Sequence, residues 1–351
     1  MAKLNEGDVI EGIFTIALGL YLAYGKVEKN KLNEIRAKVD TKMFSTGRFS
    51  YTIVENLMRT RGKNPPDIFN VNFEMRLKPE SIQGAFDKEY ELLYRSSKDI
   101  GNIDQKIDQL IKSVNSASFS RKAGTAVDNF LNNNTSEIVT FTVIADGIAG
   151  ESSGGEIKGD VTLEIYAQKK GSKQKIVAGS IPFSLKSESV TVANLSPYRG
   201  MLDLAQALKI NWDAEQKYIR LAKPFKGATE QAAKFELIES MYTELKTLII
   251  KESSKSAFTK NALDFLGKSI FGSDLADVID IQSGTVKEIT VEYFEQLKKN
   301  VTLAAQANGN NLVFVNKTSK VPIFQIRTKL RPPPANEAKF YLEVGKGIYT
   351  K

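Results

Sequence analysis

The stretch EIKGDVTLEIYAQKKGSKQKIVAGSIPFSLKS, residues 156–187, predicts two β-strands joined by a turn. Polar and apolar residues alternate over 160–167 and over 176–187, and the intervening KKGSK has the glycine and polar side chains of a turn. Because successive side chains of a strand point to opposite faces, Asp160 and Lys186 both belong to the polar face of this hairpin. We therefore expect the acid and the lysine to meet on neighbouring strands.

The sequence around the hairpin switches between helical and extended patterns. Apolar residues at helical spacing predict a core helix over 7–24 and an amphipathic helix over 228–250. Alternation predicts a strand over 68–77, and β-branched residues predict another over 137–147. The C-terminal stretch again has strand patterns. This succession of helices and strands predicts a mixed α/β, or α+β, fold.

Length and pattern together predict three regions in the 351-residue chain. Residues 1–222 would form a core with an N-terminal helix and the central hairpin. Residues 223–310 would form a helical region, and residues 311–351 would supply strands that return to a sheet. The central sheet would be mixed and flanked by helices, with the helical region as a large insertion or a second helical subdomain.

The composition excludes several kinds of chemistry. The chain has no Cys and no His, which rules out a Ser-His-Asp triad, a Cys-His pair, a thiolate metal site and a His-ligated zinc ion. Chemistry would depend on carboxylates, Lys, Tyr, Ser or Thr, or on a hard metal ion bound by oxygen, for which Mg²⁺ or Mn²⁺ is expected. Lys and Arg outnumber Asp and Glu by 49 to 41, and the net charge of +8 gives a mild bias towards polyanions such as nucleic acid.

The most apolar run, GIFTIALGLYLAYG at 12–25, predicts a buried helix rather than a membrane span. It is shorter than the about 20 residues that cross a bilayer. Glu6, Asp8 and Glu11 come directly before this run, where a signal peptide would carry positive charge. The sequence therefore predicts a cytoplasmic protein without membrane association.

The hairpin and the N-terminal helix resemble the core of the PD-(D/E)XK phosphodiesterase superfamily, which includes restriction endonucleases, junction resolvases and many phage nucleases. That pattern has an acid at the start of one strand and acid-x-Lys on the next, commonly after a helix that bears a further Glu. Here KGDV supplies Asp160, FSLK supplies Lys186, and NEGDVIEGIFTIALGLYLA supplies Glu11. The resemblance covers 5–25 and 156–200, and it implies a restriction-endonuclease-like mixed sheet.

The sequence departs from that pattern at Ser184, which stands where Glu or Asp is usual. The resemblance nevertheless implies a site for Mg²⁺ or Mn²⁺, held by Asp160, Glu11 and the backbone carbonyl of Leu185. Lys186 would position a water molecule or stabilise the charge that develops on the phosphate. Ser184 and Lys186 also form a candidate Ser-Lys dyad, although the surroundings are not apolar enough to predict a neutral lysine base.

Several basic residues are candidate phosphate contacts. They lie in the turn of the hairpin, in the stretch RTRGK at 59–63, and beyond the loop that follows the hairpin: Lys169, Lys170, Lys173, Lys175, Arg59, Arg61 and Arg199. For the turn lysines the alternative is a solvated turn that protects a strand end. For Arg199 the alternative is a plain strand-to-helix connection.

Two functional hypotheses follow from these observations. The first is a metal-dependent DNA endonuclease acting in a bacterial or phage-infected host cytoplasm, with a large helical portion for substrate recognition or for forming a homodimer. The second is a non-catalytic DNA-binding or virion-assembly protein that keeps a degenerate nuclease core. The absence of a carboxylate at Ser184 favours this second hypothesis. An ordinary hairpin with solvated charges is the simplest alternative to both.

Overall fold

The computed structural model describes most of the chain and divides it into two compact units. The described residues are 6–38, 48–54, 68–76, 100–116, 118–133, 138–146, 160–169, 171–174, 176–186, 191–282, 285–335 and 337–349. Unit 1 contains Met1–Glu188 and Ser273–Lys287, and unit 2 contains Ser189–Gly272 and Glu288–Lys351. Helices flank two β-sheets, so the expected α+β class is confirmed.

The helices fall in two groups along the chain. Those of unit 1 are α1 Glu6–Tyr24, α2 Lys29–Lys38, α3 Ile103–Ser116 and α4 Ser118–Asn133. Those of unit 2 are α5 Arg199–Ala207, α6 Ala214–Tyr218, α7 Ala228–Glu252, α8 Phe258–Phe271 and α9 Val291–Asn300, with short 3₁₀ turns at Ile219–Ala222 and Lys346–Ile348. The predicted helices over 7–24 and 228–250 are thereby confirmed.

The strands are numbered in chain order. Among the described residues, the first sheet has seven strands: β1 Arg48–Val54, β2 Ile68–Arg76, β3 Ile138–Asp146, β4 Val161–Gln168, β5 Ile176–Lys186, β7 Asp277–Gln282 and β8 Thr285–Ile289. The second, five-stranded sheet contains β6 Thr191–Leu195, β9 Leu303–Asn308, β10 Asn311–Asn316, β11 Pro322–Arg331 and β12 Glu337–Val344.

Helix α1 is the centre of the unit 1 core. Its apolar residues occupy every side of the helix, as in a helix enclosed by other elements, and the fully or almost fully buried ones include Val9, Ile13, Phe14, Ala17, Leu18 and Leu20. The helix is followed by Gly25, whose φ of +76° lies in the left-handed region that favours glycine. The Gly25 N–H donates to the Tyr21 carbonyl at 2.7 Å, which closes the last turn.

The sheet of unit 1 is mixed, in the order β1-β2-β3-β4-β5-β7-β8. Strands β3, β4 and β5 run antiparallel in succession, whereas β2 pairs parallel with β3 and β5 pairs parallel with β7. The Phe14 ring of α1 meets the Phe183 ring of β5 edge-on, with centroids 6.5 Å apart. Helix α1 therefore packs on the apolar face of the central hairpin.

The sheet of unit 2 has the order β6-β12-β11-β10-β9, and all of the described pairings are antiparallel. Aromatic rings fill the space between this sheet and its helices. Phe314 of β10 stacks on Phe324 of β11 at 3.9 Å and on Phe258 of α8 at 6.0 Å, and Tyr242 of α7 lies 4.9 Å from Phe340 of β12. Burial among these rings raises the pKa of the Tyr242 hydroxyl.

The observed units differ from the three regions expected from the sequence. The expected helical region, 223–310, also contains strands β7, β8 and β9. Residues 311–351 return to a sheet, but that sheet belongs to unit 2 and does not contain the central hairpin. The expected core, 1–222, is divided between the units near residue 188. Strand patterns as short as DVIDIQ, residues 277–282, are easily overlooked between strongly helical segments.

Candidate active site

Asp160 lies at the point where the central hairpin opens. Three donors converge on its Oδ2 atom: the Leu185 backbone N–H at 2.8 Å, the Ser184 hydroxyl at 3.0 Å and the Lys186 ammonium at 3.4 Å. The last distance is long for a hydrogen bond but within the range of an ion pair. The prediction that Asp160 and Lys186 meet on the polar face of adjacent strands is therefore confirmed.

The position of the Asp160 carboxylate follows from the register of β4 and β5. Their last described pair is Val161 with Phe183, so the end of β5 extends beyond the antiparallel ladder. A backbone N–H at this point needs another acceptor, because a buried amide without one is costly. The Asp160 side chain supplies that acceptor for Leu185, and the site is thus built into the end of the strand.

Ser184 is the residue at which the sequence departs from the family pattern, and the structure gives it a clear contact. Its side chain is buried, and its hydroxyl donates to Asp160. A carboxylate at this position would bring a second negative charge against Asp160, and a nearby like charge disfavours the ionised form. Serine instead holds Asp160 in place with a neutral donor.

Lys186 is partly accessible, with 27% of its side chain exposed, and Asp160 is similar at 29%. A side chain in this range can reach a bound molecule and still keep a fixed position. By contrast, Ser184 is almost completely enclosed at 1% exposure. The arrangement presents one cation and one carboxylate to solvent, with the serine and a backbone amide behind them.

Asp280 is a residue of this neighbourhood that the sequence analysis missed. It is fully buried in β7, and its Cα is the direct partner of Lys186 in the parallel pairing of β5 with β7. Partners in adjacent strands place their side chains on the same face, so Asp280 shares the face of Lys186 and Ser184. An aspartate inside the apolar run DVIDIQ was the signal that could have identified it.

A second buried carboxylate, Asp277, lies three residues earlier on β7. It pairs in register with Phe183, so it belongs to the opposite, apolar face of the sheet. Lys122 of α4 donates to Asp277 Oδ2 at 2.6 Å, with the carboxylate only 3% exposed. This ion pair joins α4 to the sheet. It is separate from the group formed by Asp160, Ser184, Lys186 and the Leu185 amide, called here the Asp160 cluster.

Glu11 lies on α1, one helical turn before Phe14, and is half-buried. Because Phe14 meets Phe183, this part of α1 lies beside the hairpin, on the apolar face of the sheet. Asp160, Ser184 and Lys186 project from the other face. A contact between Glu11 and Asp160 would have to form around the end of β4, and it stays a prediction.

At the end of the hairpin itself, the groups that could hold a metal ion are the Asp160 carboxylate and the Leu185 carbonyl. Since the N–H and C=O of one strand residue point to the same side, the Leu185 carbonyl faces the open side of β5 together with the N–H that Asp160 accepts. Within the part of the chain that the structure describes, no group of three or more acidic side chains is arranged to hold a metal ion. These two oxygen ligands fit a metal site only in part.

The candidate phosphate contacts have different outcomes. Lys169 and Lys173 are exposed in the hairpin turn, whereas Lys170 and Lys175 lie outside the described residues, as do Arg59 and Arg61. Arg199 is 76% exposed at the start of α5 and forms an ion pair with Asp203 at 3.3 Å, in unit 2.

Comparisons with known proteins add no relative to this description. No family model, curated protein or solved structure matches the chain. Among the described residues, no helix is long and apolar enough to cross a membrane. The candidate site is accordingly characterised by its own geometry.

Proposed function

We propose that this chain is a metal-dependent DNA endonuclease that hydrolyses phosphodiester bonds at the Asp160 cluster, as the resemblance to PD-(D/E)XK nucleases implies. The observation that carries the proposal is the convergence of Lys186, Ser184 and the Leu185 amide on one carboxylate oxygen at the open end of the hairpin. An ordinary solvated hairpin does not require a buried serine and a backbone amide to fix the carboxylate of an acid–lysine pair.

Each residue has a role that its position supports. Lys186 has a partly exposed ammonium that can orient the attacking water or stabilise negative charge on the phosphate. Asp160 holds that ammonium in place and offers a carboxylate oxygen ligand. Ser184 and the Leu185 N–H fix the orientation of Asp160, so the pair is preorganised before substrate binds.

A bound Mg²⁺ or Mn²⁺ would polarise the phosphate and lower the pKa of the attacking water. Asp160 and the Leu185 carbonyl would hold it, and a further carboxylate is required, for which Glu11 and Asp280 are the candidates. Glu11 follows from the resemblance, and Asp280 from its register position beside Lys186. Such an enzyme would act on DNA in a bacterial or phage-infected cytoplasm, as a monomer or a homodimer.

A non-catalytic DNA-binding or virion-assembly protein is the second candidate. It is favoured because no group of three or more acidic side chains that could hold a metal ion is found among the described residues. In that case the Asp160–Lys186 pair would only close the end of the strand, as its contact with the Leu185 amide already does.

The test is nicking of supercoiled plasmid by the full chain with Mg²⁺, with Mn²⁺ and with EDTA. We expect cleavage with either metal and none with EDTA. Lys186→Ala should lower the rate on the order of 10²–10³-fold, because it removes a group that acts on the developing charge. Lys112→Ala, which removes an exposed lysine on α3 of the same unit, is the matched control and should cleave normally.

Circular dichroism should show that Lys186→Ala folds, since the lysine is partly exposed and its removal opens no core cavity. Cleavage that persists in Lys186→Ala and in Asp160→Ala would place the chemistry elsewhere. DNA binding without cleavage under any metal condition would favour the non-catalytic candidate.

A further inference from the structure

The net charge of the chain is confined to one unit. Unit 2 carries 22 of the 49 Lys and Arg but only 14 of the 41 Asp and Glu, a net charge of +8. The remaining 27 of each fall in unit 1, which is neutral. Within unit 2 the excess is concentrated in residues 301–351, which contain eight Lys and Arg and two Asp and Glu.

Four of these basic residues, Arg327, Lys329, Arg331 and Lys339, share one face of the five-stranded sheet. On β11 and β12 the apolar face, with Phe324, Ile326, Phe340 and Leu342, is buried, and Phe340 contacts Tyr242 of helix α7. By alternation the opposite face carries the polar residues. Four directly opposed pairs lie on it: Gln325 with Glu343, Arg327 with Tyr341, Lys329 with Lys339, and Arg331 with Glu337.

Lys329 and Lys339 are like charges directly opposite each other, which by itself is destabilising in a sheet. Glu337 compensates for this in part. Its Oε1 atom lies 3.0 Å from both ammonium groups, and its Oε2 atom lies 3.5 Å from Arg331. One carboxylate thus faces three cations, and the local charge is +2. The hydrogen bonds from Lys329 and Lys339 lower the pKa of Glu337, which stays ionised at neutral pH.

Arg327 extends the same row of cations. It donates to Glu343 Oε1 at 2.6 Å, and its guanidinium lies over the Tyr341 ring at 4.3 Å from the centroid. The two carboxylates of this face are the least exposed of its charged groups, at 19% for Glu337 and 13% for Glu343. The four cations are 35–61% exposed, so the outermost layer is positive.

We propose that this surface, formed by Arg327, Lys329, Arg331, Lys339 and Tyr341 and called here the basic sheet face, binds the phosphodiester backbone of DNA. The identity of the nucleic acid rests on the proposed function, whereas the location does not. Alternate residues of an antiparallel strand are about 6.8 Å apart, so β11 presents its three cations as a regular row. Such a row can follow successive phosphates, while the Tyr341 ring and the Arg327 guanidinium that lies over it offer a surface for stacking.

The first test measures binding of a labelled DNA duplex to the full chain by fluorescence anisotropy over a range of salt concentrations. The triple variant Lys329→Gln, Arg331→Gln, Lys339→Gln should bind at least about tenfold more weakly and reduce the salt slope by up to about 3. The matched control is Lys251→Gln, Lys260→Gln, Lys268→Gln. It removes the same charge from exposed positions on α7 and α8, and it should change binding little.

Glu337→Gln provides a test with the opposite sign. It removes the carboxylate that neutralises three cations, so it should tighten DNA binding several-fold and lower the thermal stability of the sheet. A purely structural ion-pair cluster would give the loss of stability without tighter binding. This variant also keeps the result interpretable if the triple variant is poorly folded.

The outcomes separate this inference from the proposed function. If the triple variant nicks plasmid and binds DNA with normal affinity, the proposed role of the basic sheet face is wrong, whereas the proposed nuclease activity stands. DNA binding that needs this face, without any cleavage, would support the face and count against the nuclease. Unchanged DNA binding together with a loss of binding to phosphatidylserine vesicles would assign the face to a membrane surface and overturn the proposal.

Discussion

Unit 1 and unit 2 are each built from a sheet with helices, but they use charged residues in different ways. In unit 1 the charges balance, and the Asp160–Lys186 pair lies at a strand end where a serine and a backbone amide hold the carboxylate. In unit 2 an excess of +8 includes an exposed row of cations on β11 and β12. One unit fixes a single acid–lysine pair, whereas the other spreads positive charge over a surface.

Under the proposed function, this difference would separate two requirements of an enzyme that acts on a long polyanion. Chemistry needs a few groups in fixed positions, and preorganisation supplies them at low net charge. Binding of the polyanion needs many phosphate contacts, each weak and sensitive to salt. If the two units divide these tasks, damage to one should leave the property of the other intact.

The largest expected effect comes from removing one core ring from either unit. Phe314→Ala should cost unit 2 about 3–5 kcal/mol, because Phe314 is fully buried between Phe258 and Phe324. Phe183→Ala should cost unit 1 a similar amount. The only tryptophan, Trp212, is in unit 2, so its fluorescence during urea unfolding reports that unit selectively. We expect Phe314→Ala to lower the fluorescence midpoint.

Phe183→Ala is the matched control for the tryptophan signal. It should shift the far-ultraviolet circular dichroism transition while the Trp212 transition stays in place, and it should impair nicking more than DNA binding. Equal shifts of both probes in both variants would show that the units unfold as one, and the proposed division of tasks would lose its physical basis.

A smaller effect is expected from the hairpin turn of unit 1. Changing Lys169, Lys170, Lys173 and Lys175 together to Ala should weaken DNA binding and lower the salt slope by up to about one per lost phosphate contact. If unit 2 supplies most of the DNA-binding affinity, the turn variant should lose less affinity than the triple variant of the basic sheet face. Anisotropy titrations at two salt concentrations compare them. A larger loss from the turn would transfer the main DNA contact to unit 1.

The smallest expected effect concerns acid stability in unit 2. Glu244 accepts hydrogen bonds from Lys217 at 2.9 Å and from the Tyr218 hydroxyl at 2.8 Å. Lys217, followed by Tyr218, lowers the pKa of Glu244 below its usual value of 4.5. A carboxyl whose pKa is lowered by folding stabilises the fold above its unfolded pKa, and that stabilisation is lost as the pH falls through the folded pKa.

Glu244→Gln should therefore reduce the loss of unit 2 stability between pH 6 and pH 3, while lowering stability at pH 6. The measurement is the Trp212 fluorescence midpoint at both pH values, with Glu236→Gln on the same helix as control. An unchanged pH dependence in Glu244→Gln would show that this cluster does not contribute to acid sensitivity.

The central hairpin was predictable because its two strands and their turn are consecutive in the sequence. Alternation alone fixed the faces of β4 and β5, and the expected meeting of Asp160 and Lys186 followed from it. Asp280 was not predictable in this way, because its position beside Lys186 depends on a parallel pairing between segments far apart in the sequence. The contact of Ser184 with Asp160 likewise required the register at the strand end.

The charge segregation shows the same limit. The sequence alone gives a net charge of +8 for the whole chain. Only the division into units shows that this charge belongs to unit 2 and that unit 1 is neutral. Similarly, β6 joins β12 in one sheet, although Leu195 and Phe340 are far apart in the chain. Sequence patterns predict elements and faces, whereas the partners of a strand follow from packing between distant segments.

The parallel pairing of β5 with β7 has a consequence for synthesis of the chain. A ribosome that has produced β5 must still complete α5, α6, α7 and α8 before β7 emerges. Until then, the end of β5 is an unpaired strand edge, and such edges readily recruit other strands. Translation products that stop before residue 273 would lack β7 and retain this edge permanently. We expect fragments of that kind to aggregate, and a chaperone that covers exposed strands to improve the yield of the full chain.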